Sequence, residues 1–195
     1  MLTPAVYELD KPIEITKDKT LILGLGMPIL KAKNANALTN TSSAQDTILA
    51  GFVIVGSATS KNQTLVTIGN VKGANSTENS NMLFDIFCRV GGAVDIEETN
   101  TCMQINDSDI IGCNLGCDKN TVDHGLIVNG KNGSIDFYQS ELPYDPPSQN
   151  DWIFGMQKGY PSLPISKNAT NFKAKGFGGE SPNRHSAINT NIPNK

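Results

Sequence analysis

Apolar residues along this chain fall in short β-branched or aromatic runs, each stopped by Gly, Asn or Asp. Thr20–Leu23, Ile48–Val55, Leu65–Ile68, Leu83–Val90, Met103–Ile105, Asp109–Ile111, Leu126–Val128 and Ile135–Tyr138 read as strands on this criterion. In Phe84-Asp85-Ile86-Phe87-Cys88-Arg89-Val90, the alternation predicts that the even positions face a core while Asp85 and Arg89 face water. Ile68-Gly69-Asn70, Val90-Gly91-Gly92, Ile105-Asn106-Asp107 and Val128-Asn129-Gly130 each end a strand in a turn that favours positive φ. The anchors Ile68, Val90, Ile105 and Val128 are 22, 15 and 23 residues apart, and a second short strand often follows the turn. A strand, a tight turn, a second strand and a variable loop, repeated near 22 residues, describe an all-β chain wound as a parallel β-helix. The interval of 15 then implies a shortened coil. A β-sandwich, with turn signals every ~8–12 residues, is the alternative.

Composition agrees with many corners. The chain has 195 residues, enough for one ordinary domain, and carries 18 glycines and 21 asparagines. Sixteen basic against 19 acidic side chains leave a net charge of −3, which argues against nucleic acid as a partner. The longest apolar run, Ile48 to Gly56, is nine residues, far short of the ~20 of a membrane-spanning helix. Residues 1–178 are read as the β-helix domain, opening with a strand at Ile13-Glu14-Ile15, and the apolar-poor stretch 179–195 as a disordered tail. The N-terminus lacks the basic and apolar segments of a signal peptide. Six glycosylation sequons, at Asn40, Asn62, Asn75, Asn106, Asn132 and Asn168, read either as a trace of secretion or as plain composition.

Four cysteines, Cys88, Cys102, Cys113 and Cys117, allow three pairings if oxidised. Cys113 and Cys117 are four apart, which is not the Cys-x-x-Cys of zinc or redox sites, and neither histidine is close to them in the sequence. No metal and no cofactor are expected, and Cys88 is read as a buried thiol.

Eight of the twelve aromatic residues lie between Phe137 and Phe177, Trp152 among them, interleaved with Asp136, Glu141, Asp145 and Asp151. Aromatic faces stack on sugar C–H surfaces, and paired carboxyl groups supply the acid and base of glycosidic cleavage. The same aromatics also serve to cap the end of a solenoid core. In Gln139-Ser140-Glu141-Leu142-Pro143-Tyr144-Asp145-Pro146-Pro147, three prolines stiffen the segment that carries Glu141.

The segments LFDIFCRVGGA, INDSDIIG, DHGLIVNG and FYQSELPYDPPSQNDW resemble the second half of bacterial and fungal β-1,3-glucanases of glycoside hydrolase family 55. YELDKPIEITKDKTLILGLGMPIL fits the same stretch, so the resemblance covers roughly residues 7–160. It implies a single-stranded, right-handed parallel β-helix of the pectin-lyase-like kind, shortened here. It further implies an inverting exo-acting hydrolase of β-1,3-glucan, found outside the cell. The family has two tandem β-helices with the active site between them, and upstream of Tyr7 no first helix is seen, so a missing N-terminal half is expected as a partner. By position the resemblance makes Glu141 the general acid. Tyr144 and Asp145 match neighbouring motif positions, and Trp152 and Tyr160 are expected, with them, to contact substrate. Two stretches are shorter than the family pattern: CNLGCDKNTVDHGL, and the passage from Asn129-Gly130 to SIDFYQSELPYDPP. They flank the expected catalytic region. A non-catalytic glucan-binding or structural β-helix is therefore the second reading. A calcium-dependent pectate lyase is the third, disfavoured because no cluster of aspartates with a partnering Arg or Lys is visible.

Overall fold

The computed structural model describes residues 1–34, 36–40, 44–56, 64–70, 80–91, 99–119, 121–144, 146 and 148–181. Its strands are β1 (Val6–Leu9), β2 (Ile13–Ile15), β3 (Leu21–Leu23), β4 (Ile29–Ala32), β5 (Leu38–Asn40), β6 (Ile48–Val55), β7 (Thr64–Ile68), β8 (Met82–Val90), β9 (Thr99–Ile105), β10 (Ile111–Lys119), β11 (Thr121–Val128), β12 (Ser134–Glu141), β13 (Ile153–Phe154), β14 (Gln157–Lys158) and β15 (Lys173–Glu180). Two parallel sheets interleave along the chain. One runs β1-β4-β6-β8-β10-β12-β15, with β3 also paired to β6, and the other runs β2-β5-β7-β9-β11. From β4 to β11, strands of the two sheets alternate, so each turn of the chain adds one rung to both walls. This is a parallel β-helix, and the β-sandwich alternative falls away.

A left-handed residue near the middle of each longer strand gives the first wall its bend. Gly51, Asp85, Asn114, Phe137 and Gly176 have φ of 74°, 51°, 56°, 62° and 67°, and strand register stacks them in one column. Only Gly adopts this conformation without cost, and Asp and Asn tolerate it better than other residues. Asn114 Nδ2 donates to Asp85 Oδ1 at 2.6 Å along the column. The bend also resets the inward phase of each strand. In β8 the buried set is Leu83, Ile86, Cys88 and Val90, while Asp85 and Arg89 are exposed as expected. Phe84, expected in the core, is half-buried because Asp85 turns the chain immediately after it.

Stacked side chains fill the interior. Phe52, Ile86, Leu115 and Tyr138 lie at one level on successive rungs, each no more than 2% exposed. Burial of this kind stabilises by about 1.5–3 kcal/mol per large side chain. On the second wall, Leu38, Val66, Met103 and Leu126 form a matching stack. Each such side chain gains its burial from its neighbours above and below.

Val90 corrects the spacing argument. Ile68, Ile105 and Val128 are partners in the shorter sheet, whereas Val90 ends β8 in the other. The interval of 15 therefore joins two different corners and marks no shortened coil. The expected strand at Asp109–Ile111 begins only at Ile111, since Asp109 is itself left-handed with φ of 61°. β15 continues to Glu180, past the expected domain limit at residue 178. Residues 182–195, including His185 of the expected tail, lie outside the described residues.

A buried polar ladder holds one corner. Asn40 Nδ2 donates to Thr47 Oγ1 at 2.9 Å, Thr47 Oγ1 donates to Asn81 Oδ1 at 3.0 Å, and Asn81 Nδ2 donates to Asp107 Oδ2 at 3.1 Å. These side chains occupy the interior where the chain leaves one wall for the next, and pair groups that would otherwise be buried without partners. Beside them, Asn129 Nδ2 donates to Asn106 Oδ1 at 2.7 Å, and Asn106 Nδ2 donates to the Gly69 carbonyl at 3.1 Å. Asn40 and Asn106 are 2% and 3% exposed, so their sequons belong to corner chemistry. Asn132 and Asn168 are exposed.

Candidate functional site

The outward side of the bent wall near its C-terminal end carries an ordered set of side chains. Past each left-handed residue, alternate positions face out: Phe87 and Arg89 on β8, Gly116 and Asp118 on β10, Gln139 and Glu141 on β12, Gly178 and Glu180 on β15. Register places Arg89 beside Asp118 and Glu141 beside Glu180. The pairing of Cys117 with Ser140 puts Asp118 next to Glu141. One arginine and three carboxylates thus form a row across four rungs, each rung about 4.8 Å from the next.

Tyr144 closes over this row. Its hydroxyl donates to Glu141 Oε2 at 2.7 Å. That bond, helped by the charges of Glu141, Asp118 and Glu180 and by some loss of solvent, pushes the Tyr144 hydroxyl up to about 12. Tyr144 therefore stays protonated and orients the Glu141 carboxyl across the physiological range. Backbone also anchors the position: Leu142 N–H donates to the Glu180 carbonyl at 2.9 Å. Pro143 and Pro146 are buried, so the stiff segment read from the sequence lies packed against the solenoid end. Asp145 is outside the described residues.

Next to the carboxylates lies a shallow groove of about 470 Å³, lined by Asn114, Phe137, Gln139, Gly176, Gly178 and Glu180 among others. Its floor is low because Gly178 and Gly179 have no side chains. Phe137 flanks it, 65% exposed in spite of its left-handed backbone. A bulky aromatic in that conformation is a steric outlier. The Phe137 ring lies where a side chain at Gly176 would be, so the glycine makes room for it.

The other expected substrate contacts do not join this face as expected. Trp152 is 1% exposed, and a ring packed in the interior offers no face to a ligand. It is buried outside the main core cluster of the solenoid. Tyr160 is half-buried in a second group, with ring centroids 5.3 Å from His124 and 5.6 Å from Phe154. Burial raises the pKa of Tyr160, and the neighbouring Asp123 raises it further. Burial also raises Asp123, although His124 and the Tyr160 hydroxyl act the other way. His124 Nδ1 donates to the Pro161 carbonyl at 2.8 Å.

Sequence reasoning missed Asp118, Glu180 and Phe137 as members of the outer face. Asp118 and Glu180 stand 23 and 39 residues from Glu141, and only the stacking of coils makes them neighbours. Phe137 carried a signal, since an aromatic stood at a level where two rungs hold glycine.

A profile of the LAM55 pectate lyase-like domain matches residues 1–141, from β1 to the last residue of β12. The chain belongs to the LAM55 pectate lyase-like family. An exo-β-1,3-glucanase of Streptomyces sp. (strain SirexAA-E / ActE) is 29% identical to it over 213 residues, covering 91% of this chain and 35% of the relative. That stretch is longer than the whole chain, so the relative carries extra residues inside the matched region. The solved structure of sacteLam55A from Streptomyces sp. SirexAA-E superposes with a TM-score of 0.70 at 24% identity, covering 90% of this chain and 38% of that one. A variant of the same protein in complex with glucose gives 0.68 at 25% identity, with the same coverage. The likeness to these relatives extends over nearly all of this chain, while the chain spans little more than a third of their length.

Proposed function

We propose that the outer face of β8, β10, β12 and β15 engages β-1,3-glucan, and that Glu141 is the general acid of an inverting exo-acting glycosidase step. The observation that carries this reading is the Glu141 carboxyl, oriented by Tyr144 at 2.7 Å within a row of carboxylates beside an open, partly aromatic groove. Glu141 would protonate the departing glycosidic oxygen while water attacks the opposite face of the ring and passes its proton to a second carboxylate acting as base. Phe137 replaces Trp152 as the ring placed for sugar stacking, and Tyr144 acts through Glu141. Kinship with a protein named exo-β-1,3-glucanase supports the substrate class. The proposed setting is extracellular, where polymeric glucan is met.

The test is glucose release from laminarin by the wild type and by Glu141→Gln. Loss of an acid catalyst lowers the rate by about 10²–10⁴-fold, and the first-formed glucose should be the α anomer by NMR. Equal rates in the two proteins would remove Glu141 from the mechanism.

The shallowness of the groove favours a second reading, in which the face binds glucan without cleaving it. Calorimetric binding of laminarin with no sugar released, and weakened binding by Phe137→Ala, would select that reading.

A further inference from the structure

Three of the four cysteines converge in the interior. Cys88 and Cys117 are register partners on β8 and β10, and Cys102 faces them from β9 on the opposite wall. All three are at most 2% exposed, and their sulfur atoms lie within 4.8 Å of one another. Cys113, four residues from Cys117 in the chain, stands apart from the group, and the fold brings Cys88 and Cys102 to Cys117 in its place.

The columns that lead to these sulfurs change character along the solenoid. On one wall the level occupied by Cys88 and Cys117 is held by Leu30 and Ile54 on the two rungs before them and by Ser140 and Gly179 on the two rungs after. On the other, the level of Cys102 holds Leu65 one rung earlier and Gly125 one rung later. Large hydrocarbon side chains thus give way on both walls, at one depth, to sulfur donors and then to residues with little or no bulk. At Gly125 a side chain would overlap the Tyr138 hydroxyl and crowd Cys117, so the glycine admits that oxygen to the core. The Tyr138 hydroxyl lies 3.1 Å from Ser162 Oγ, and Cys117 Sγ donates to the Gly125 carbonyl at 3.2 Å.

We propose that Cys88, Cys102 and Cys117 form a buried three-thiolate site for one thiophilic d10 cation of the zinc class, with the Tyr138 hydroxyl as the adjacent oxygen donor. Metal–sulfur bonds of about 2.3 Å place coordinating sulfurs roughly 3.8–4.0 Å apart, so sulfurs within 4.8 Å of one another must close by at most about 1 Å. Each thiol that coordinates loses its proton to solvent, and Zn²⁺ exchanges for three protons. Coordination by Cys117 would replace the hydrogen bond that its Sγ donates to the Gly125 carbonyl. The site would staple the two walls and act on folding, distinct from the outer face proposed for glucan. Because no sulfur reaches the surface, the cation enters as the chain folds.

The experiment refolds the reduced full chain with and without Zn²⁺, and with Cd²⁺ as a spectroscopic substitute. The expected results are one retained ion per chain, a cadmium–thiolate charge-transfer band, release of about three protons per ion and a raised Tm. Cys102→Ala should abolish stoichiometric retention, while Cys113→Ser should keep it. Should Cys102→Ala fail to fold, proton release and the charge-transfer band of the wild type decide. Refolded protein that retains no metal overturns the proposal. So does a disulfide among the three, detected as a loss of two mass units that metal does not prevent.

Discussion

Asp107 and Glu141 each accept a hydrogen bond from one neutral side chain, and their surroundings are nevertheless opposite. Asp107 is 2% exposed at the end of the corner ladder, with Asn81 as donor at 3.1 Å. Burial raises its pKa to about 6, and the Asn81 hydrogen bond only partly offsets this. Glu141 is half-buried at the end of β12, under the Tyr144 hydroxyl and between two other carboxylates. A strongly perturbed carboxyl is a common signature of an active site. In this protein the raised Asp107 carboxyl lies in a sealed corner, away from the open outer face.

The comparison predicts its largest effect at Gly130. A Cβ there would overlap the Asp107 carbonyl oxygen, so Gly130→Ala must move corner backbone and should cost about 3 kcal/mol or more in urea unfolding. A cost below about 1 kcal/mol would show that the corner is soft.

The next effect is a pH dependence. Between the ordinary carboxylate value of 3.8 and about 6, folded Asp107 holds a proton that the unfolded chain has released. The sign follows: this contribution to stability is greatest below about pH 4, falls as pH rises towards 6, and is lost above. Its full size is about 3 kcal/mol by linkage. Asp107→Asn should remove this slope when the two proteins are unfolded in parallel from pH 4 to 8, and should be the more stable of the pair at pH 7.5. A slope shared by both would assign it to other groups.

The smallest effect on stability is expected at Glu141. Glu141→Gln should alter unfolding by less than about 1 kcal/mol, as surface substitutions do. The same change should bring the Tyr144 hydroxyl down from about 12 towards its ordinary value of 10, read as tyrosinate absorbance between pH 9 and 12. An unchanged titration would mean that Tyr144 is not held by Glu141.

What could be read without coordinates was local. β-branched runs and Asn/Gly stops located β6, β7 and β8 to within a residue or so, because strand propensity and positive-φ turns are properties of a few adjacent residues. Burial of Cys88 and exposure of Asp85 and Arg89 were legible for the same reason. Register was not. Arg89, Asp118, Glu141 and Glu180 are separated by 29, 23 and 39 residues, and no fixed period leads from one to the next. The length of each intervening loop decides which residues become rung neighbours.

The sequence by itself thus determined an all-β, corner-rich chain with motifs resembling glycoside hydrolase family 55 and a glutamate on a stiff segment. Tertiary structure alone decided that Val90 belongs to the other wall, that Trp152 is buried, that three carboxylates share one row and that three thiols meet inside. The physical reason is common to all four. A solenoid stabilises each coil through its neighbours, so contacts depend on how coils stack, and stacking is a sum over the whole chain that no short segment contains.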